Sequence, residues 1–364
     1  MKTVPKKNEN NRNYGIDALR ILLMYMIVLG HLYAHTNIRN AVDFLSLKWI
    51  SIWVPQSITV CAVNAFIIIT GYFQWKKAYN LNKILQLWGK VLFYSILLFI
   101  VIIIVDKKML STNNVLNAFF PVLRQEYWFF SSYIIMILFS PLINVALNNI
   151  TIHDHKKIVI LITAIFYILP LMSILFPEID PKSGYGIIGF TTLYIIGAYL
   201  NRSKFKIHPK NGIIILIINS IIILSSKIVI TLINANMGTN FGTSLFYHYN
   251  TIFQLINAII LVGIFINITP SKKIQKTIKK ISPIVFSVYL IHDNPLVRDL
   301  LWKTTIGYNL VKMNDCEFIV CLILLPIIVY IVCLILGRIF DYTYAKIINL
   351  VFDKRRIKIK DEKI

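Results

Sequence analysis

IDALRILLMYMIVLGHLYAH, residues 16–35, is the stretch on which the fold turns. As a helix, twenty residues would rise about 30 Å at 1.5 Å each, the thickness of a bilayer's hydrocarbon core. Apart from Asp17, Arg20, His31 and His35, every position is aliphatic, aromatic, Met or Gly, so no continuous polar face is left for water. The stretch therefore reads as a membrane span. Working outward, comparable runs at 50–73, 88–105, 127–147, 158–176, 186–200, 212–233, 251–268, 284–302 and 318–340 join the first span, 17–35, to make ten. The sixth is short, and the ninth carries His292, Asp293, Pro295 and Arg298.

Composition agrees. Hydrophobic residues make up 57% of the 364 and charged residues only 15%, where a soluble chain carries about 25% charged. A water-soluble globule and a disordered chain are both excluded. No short apolar run is followed by a small-residue cleavage site, so a removable signal peptide is not expected. The formal charge of +22 would suggest a nucleic-acid partner in a soluble protein. Here 25 of the 38 basic residues fall in segments on the N-terminal tail's side, eight in the opposite connections and five within spans. Topology explains that partition better, because cytoplasmic connections are the enriched ones. The expectation is an all-α integral membrane protein with both ends in the cytoplasm. It has an N-terminal tail over 1–15, a ten-helix domain over 16–340 and a basic C-terminal tail over 341–364. Richness in Ile, Lys and Asn reflects an AT-rich genome and hints at a bacterium, and the expected location is the plasma membrane. Lys272, Lys273, Lys276, Lys279 and Lys280 would form a helical stripe for anionic headgroups. Trp49, Trp53, Trp75 and Trp88 lie near span ends and fit an interfacial belt, and Lys227 reads as an outward snorkeller. The four cysteines, with no zinc-finger spacing, read as small apolar fillers.

Ionisable groups inside a membrane cost roughly 2.5 to 3.5 kcal/mol for Arg, Lys or Asp at a helix centre, so they ask for a reason. Arg20 and His31 are eleven residues apart, which is about three turns plus 20°, so they share one helix face about 16 Å apart along the axis. Each also has a bland reading. Arg20 can snorkel or pair with Asp17, and His31 can be a hydrogen-bonded residue at a helix contact. Together they suggest a track from an anionic site to a basic one.

The Arg, ten residues and His of RILLMYMIVLGH resemble the hallmark of the acyltransferase 3 family, integral membrane enzymes that transfer acyl groups, commonly acetyl, to extracytoplasmic carbohydrate. Gly71 and Tyr72 in AFIIITGYF resemble the family's apolar stretch ending in Ser-Gly-Tyr. Tyr127 and Trp128 in EYWFFSSYIIMILFSPLIN resemble its aromatic opening of a middle span, and His292 in FSVYLIHD its recurrent Tyr-Leu-Ile-His. One departure stands out. Where many members carry Arg, two residues, Arg, the stretch NLNKILQLWGK offers Lys83 and Gln86, with Lys90 beyond. Lys neutralises phosphate as a point charge without the bidentate fork of Arg.

The resemblance implies a membrane O-acyltransferase moving an acyl group, commonly acetyl, from cytoplasmic acyl-CoA to a hydroxyl of an extracytoplasmic or lipid-linked polysaccharide. Acetyl-CoA would be a substrate, and no cofactor is permanently bound. Arg20, Lys83 and Lys90 would hold the donor's phosphates. His31 would act as general base, because an imidazole titrates near the working pH. Glu126, Tyr127, Trp128, His292 and Asp293 would line the pocket or meet the acceptor, with Tyr127, Trp128, Asn144 or a second His as oxyanion donors. No metal is expected, since no His and carboxylate cluster has ligand spacing in the sequence. The partners implied are acyl-CoA, a surface or lipid-linked glycan and the bilayer, with no nucleic acid. The rival reading is a transporter or flippase for a lipid-linked saccharide, whose polar residues line a passage. Gly184, Gly186 and Gly189 spell a dinucleotide fingerprint, but no strand precedes them, so it is rejected.

Overall fold

The computed structural model describes residues 12–174, 184, 186–239, 241–303 and 306–361, and among these the chain forms helices joined by turns and loops, without strands. Eight of its helical stretches are long and apolar enough to cross a membrane: Tyr14–His35, Leu47–Gln74, Leu81–Val105, Trp128–Asn148, Ile152–Met172, Pro209–Met237, Leu245–Ile266 and Asp315–Leu350. They correspond to eight of the ten expected spans. The sixth and ninth differ, each for a visible reason.

The first span is α1 (Tyr14–His35). Asn13 caps it by accepting from the amide of Ile16 and donates from Nδ2 to the Ile266 carbonyl at 3.0 Å, tying α1 to a later helix end. The second span is two helices, α2 (Leu47–Thr59) and α3 (Ala62–Gln74), separated by Val60 and Cys61. Next come α4 (Leu81–Val105), a short α5 (Thr112–Phe119), α6 (Trp128–Asn148) and α7 (Ile152–Thr163), which runs on through a π-helical turn, Ala164–Ile168.

The sixth span is α8 (Ile187–Arg202), whose 16 residues rise roughly 24 Å and so fall short of the hydrocarbon thickness. It is sheltered by protein instead. Phe190, Leu193, Tyr194, Ile196 and Ala198 are buried, and α8 lies along α3. Two glycines permit this contact. A Cβ at Gly71 would strike the Tyr194 carbonyl oxygen, and one at Gly197 would strike that of Ile68. Gly71 of the TGY stretch is therefore a backbone-to-backbone packing residue.

After α9 (Pro209–Met237) and α10 (Ile252–Ile266) comes α11 (Lys272–Ile281), which exposes its lysines and buries Ile278. The ninth span then breaks into α12 (Val285–His292), α13 (Pro295–Arg298) and a π-helical turn, Asp299–Lys303. The cause is local. The Asn294 side chain accepts from the amides of Leu296 and Val297, and Pro295 takes the first helical position, so a new helix starts three residues after His292. A short α14 (Ile306–Lys312) leads to α15 (Asp315–Asp361), which continues unbroken past residue 340.

α1 stands at the centre. Ile16, Leu19, Leu23 and Met26 belong to a core shared with α3, α8 and α10, while Met24, Val28, Leu32 and Tyr33 belong to one shared with α2, α6, α12 and α15. The outward faces are aliphatic, with Ile217, Ile218 and Ile221 of α9 and Ile323, Ile328 and Ile331 of α15 exposed, as hydrocarbon rather than water requires. Two sequence expectations are corrected. Lys227 is buried, with Nζ 3.6 Å from the centre of the Trp53 ring and donating to the Thr243 carbonyl at 3.1 Å, because that ring face and carbonyl give the ammonium partners. Trp49, Trp53 and Trp75 are buried between helices, and of the four tryptophans only Trp88 is exposed.

Candidate active site

The face of α1 that carries Arg20, Met24, Ile27, His31 and His35 borders one cavity of about 660 Å³. Spacings of four and three keep these residues in line, so the cavity follows the helix for about three turns between Arg20 and His31. At the Arg20 end its wall includes Thr70 and Gln74 of α3 and Ser282. At the other end it includes Arg39, Gln56, Asp293 and Arg298, and Phe66, Trp128, Phe129, Tyr133 and Tyr289 form much of the aromatic wall between.

Arg20 pairs with Asp17 through Nη1 at 2.8 Å, and Arg12 holds the other Asp17 oxygen from Nε at 2.6 Å. The carboxylate is thus shared by two guanidiniums, leaving a net positive end to the cavity. Pairing with Asp17 and lining the cavity are compatible.

At the far end, Nδ1 of His31 lies 3.1 Å from Nε2 of His292 and 3.5 Å from Oδ1 of Asp293. His292, fully buried, places Nδ1 2.7 Å from the Val288 carbonyl. Arg298 donates to Oδ1 of Asp293 at 3.4 Å, while Asp293 Oδ2 and Arg298 Nε are buried with no hydrogen-bond partner among the described residues. His35 meets His31 edge-on, ring centres 5.2 Å apart. Asp293 is the C-cap of α12, and the helix that starts after the break carries Arg298 to its carboxylate.

A metal-like grouping absent from the sequence reading is assembled here. One ligand atom each from His31, His35 and Asp293 lie within 4.8 Å of one another. The signal could not be read from spacing, since Asp293 is 258 positions from His35 along the chain. Its surroundings favour proton chemistry over a cation, because Nδ1 of His31 is already engaged by His292, Arg298 sits on the carboxylate, and Arg39 borders the same end.

The remaining candidates separate. Trp128 lines the cavity and stacks on Tyr249 with ring centres 6.1 Å apart. Tyr127 is fully buried outside it, donating to the Leu290 carbonyl at 3.0 Å and accepting from Asn294 at 2.9 Å, so it pegs the helix break. Asn144 accepts from Tyr194 and donates to the Gln74 carbonyl, so its amide is committed to helix packing. Glu126 borders a separate small hollow with Asn114 and Asn294, and burial pushes its carboxyl up, against the opposite pull of Arg124 and Arg298. Lys83 is exposed on the first turn of α4, and Lys90 is tied to Asp341 of α15 at 2.7 Å. Neither borders the cavity. Sequence reasoning missed Arg39, Gln56, Ser244 and Tyr289 as wall residues.

No curated protein and no solved structure gives a match to this chain. A family model described as an acyltransferase domain matches residues 13–340, which takes in α1, the cavity and every residue of the histidine cluster. The chain belongs to the acyltransferase 3 family and is a membrane acyltransferase.

Proposed function

We propose that the protein is an O-acyltransferase of a bacterial plasma membrane, moving an acetyl group from cytoplasmic acetyl-CoA to a hydroxyl on an extracytoplasmic or lipid-linked glycan. The observation that carries this reading is the single cavity joining Arg20 to His31. A thioester donor made in the cytoplasm brings phosphates, which a guanidinium grips through charge-assisted hydrogen bonds. With both termini cytoplasmic, Arg20 lies at the donor's side and His31 towards the acceptor.

In the chemical step the acceptor O–H proton passes to His31 as the oxygen attacks the thioester carbonyl and the new C–O bond forms. The C–S bond then breaks, and the thiolate leaves with the proton returned by His31. Charge on the tetrahedral oxygen needs donors, and Arg298, with a buried unpartnered Nε beside the cluster, replaces Tyr127 and Asn144 as the candidate. Donor binding rests on Arg20, since Lys90 is held by Asp341 and Lys83 faces outward.

Purified protein given acetyl-CoA and a glycan acceptor is expected to release free CoA thiol and acetylate the glycan in equal amounts. Movement of a lipid-linked saccharide across vesicles without thiol release would instead favour a flippase.

A further inference from the structure

We propose that His292, fully buried and outside the cavity wall, is a positioning residue that sets the tautomer of His31, leaving Nε2 of His31 unprotonated for the acceptor hydroxyl. The inference rests on His31 being the base, and it follows from two contacts. A backbone carbonyl can only accept, so the 2.7 Å contact between His292 Nδ1 and the Val288 oxygen requires the proton on Nδ1. In a neutral imidazole the other nitrogen, Nε2, then has only a lone pair. That lone pair faces His31 Nδ1 at 3.1 Å, so the hydrogen between the rings belongs to His31 Nδ1. For two neutral rings this is the one arrangement that satisfies both contacts. The opposite tautomer of His31 would set two lone pairs against each other.

The remaining nitrogen of His31 is then a proton acceptor by construction. Asp293 Oδ1, 3.5 Å from the same Nδ1, faces the ring when it becomes an imidazolium. The other charged or titratable groups around His31 are His35 on α1, Arg39 beyond its end and Arg298 on α13. None of these fixes the tautomer, because none combines a hydrogen bond to Nδ1 with an anchor on a carbonyl. The chain builds the anchor locally. Val288 and His292 are one turn apart on α12, and the helix ends at His292 because Asn294 and Pro295 start the next. The arrangement performs the orienting task that a carboxylate performs behind the histidine of a Ser-His-Asp triad.

The test has two arms. In purified wild-type protein labelled with ¹⁵N-histidine, with the His31 signals assigned by their loss in His31→Gln, the spectrum is expected to show His31 protonated at Nδ1. Protonation at Nε2 alone would overturn the proposal whatever the activity. In the second arm, His292→Leu is expected to lower kcat per inserted molecule roughly 10²-fold, the cost of a misplaced catalytic group, with KM for acetyl-CoA unchanged. His292→Gln, whose side-chain oxygen falls near the position of Nε2, is expected to recover most of that loss. Unchanged turnover in His292→Leu, or a Gln variant that inserts normally yet is no better than Leu, would overturn it. If His31→Gln itself kept its turnover, the base assignment would fail while the tautomer measurement still stood by itself.

Discussion

Arg20 and His31 were legible in the sequence because their relation is local: eleven residues on a helix fix a shared face whatever surrounds it. Their partners were not. Arg298 and Asp293 come from a segment more than 250 positions away, where the cap at Asn294 starts the short helix that carries Arg298. Arg20→Ala is expected to weaken CoA binding in a direct assay while leaving the protein inserted, and Arg20→Lys to restore part of it, since the fork is lost. Unchanged affinity would return Arg20 to its role as the partner of Asp17. Glu126 offers a test away from the cavity. Its carboxyl is raised by burial, so the folded state holds the proton more tightly than the unfolded chain, and ionisation costs stability as pH rises through the carboxylate range. Glu126→Gln is expected to raise the thermal midpoint at pH 7 and to change it little below about pH 4, where both states are protonated. A lower midpoint at pH 7 would contradict this.

The helices themselves were easier to foresee than their ends. Long apolar runs gave ten spans, eight of which are helices long enough to cross, but the shortness of α8 is tolerated only because Gly71 and Gly197 let it lie on α3, which no hydropathy pattern reports. The partner of Lys90 was hidden for the same reason. Its partner Asp341 also accepts from the Tyr94 hydroxyl at 2.7 Å and from Ser287 at 2.9 and 3.0 Å, so one carboxylate joins α4, α12 and α15. That places Asp341 inside the helical body, although the sequence reading put it at the start of the C-terminal tail. Removing one member of a largely buried ion pair costs about 3 to 5 kcal/mol when the other charge is left behind. Asp341→Ala is therefore expected to lower the thermal midpoint sharply, and the double change Lys90→Met with Asp341→Leu to recover much of it. If Lys90 instead held the donor, Lys90→Met alone would spare stability and weaken CoA binding.

At the scale of the whole molecule, the cavity gives the family's activity a physical form, with a guanidinium at one end, an imidazole at the other and aromatic walls between. The fold class could be read from composition and run length, because a bilayer imposes both. The cavity could not, since its wall is gathered from many separate segments. The 25 to eight partition of basic residues is the ground for proposing cytoplasmic termini, and cysteine labelling of both is expected to find them on that side. An external N-terminus would put Arg20 on the wrong side for a cytoplasmic donor. The central claim is that His31 takes the acceptor's proton, and acetyl transfer per inserted molecule in wild type, His31→Gln and His31→Ala tests it most directly. General-base catalysis contributes about 10² to 10⁴-fold, so both variants are expected to lose activity on that scale, because Gln keeps a hydrogen bond but cannot accept a proton. Near-normal turnover in His31→Gln, with His31→Ala losing activity only in step with its abundance, would contradict it.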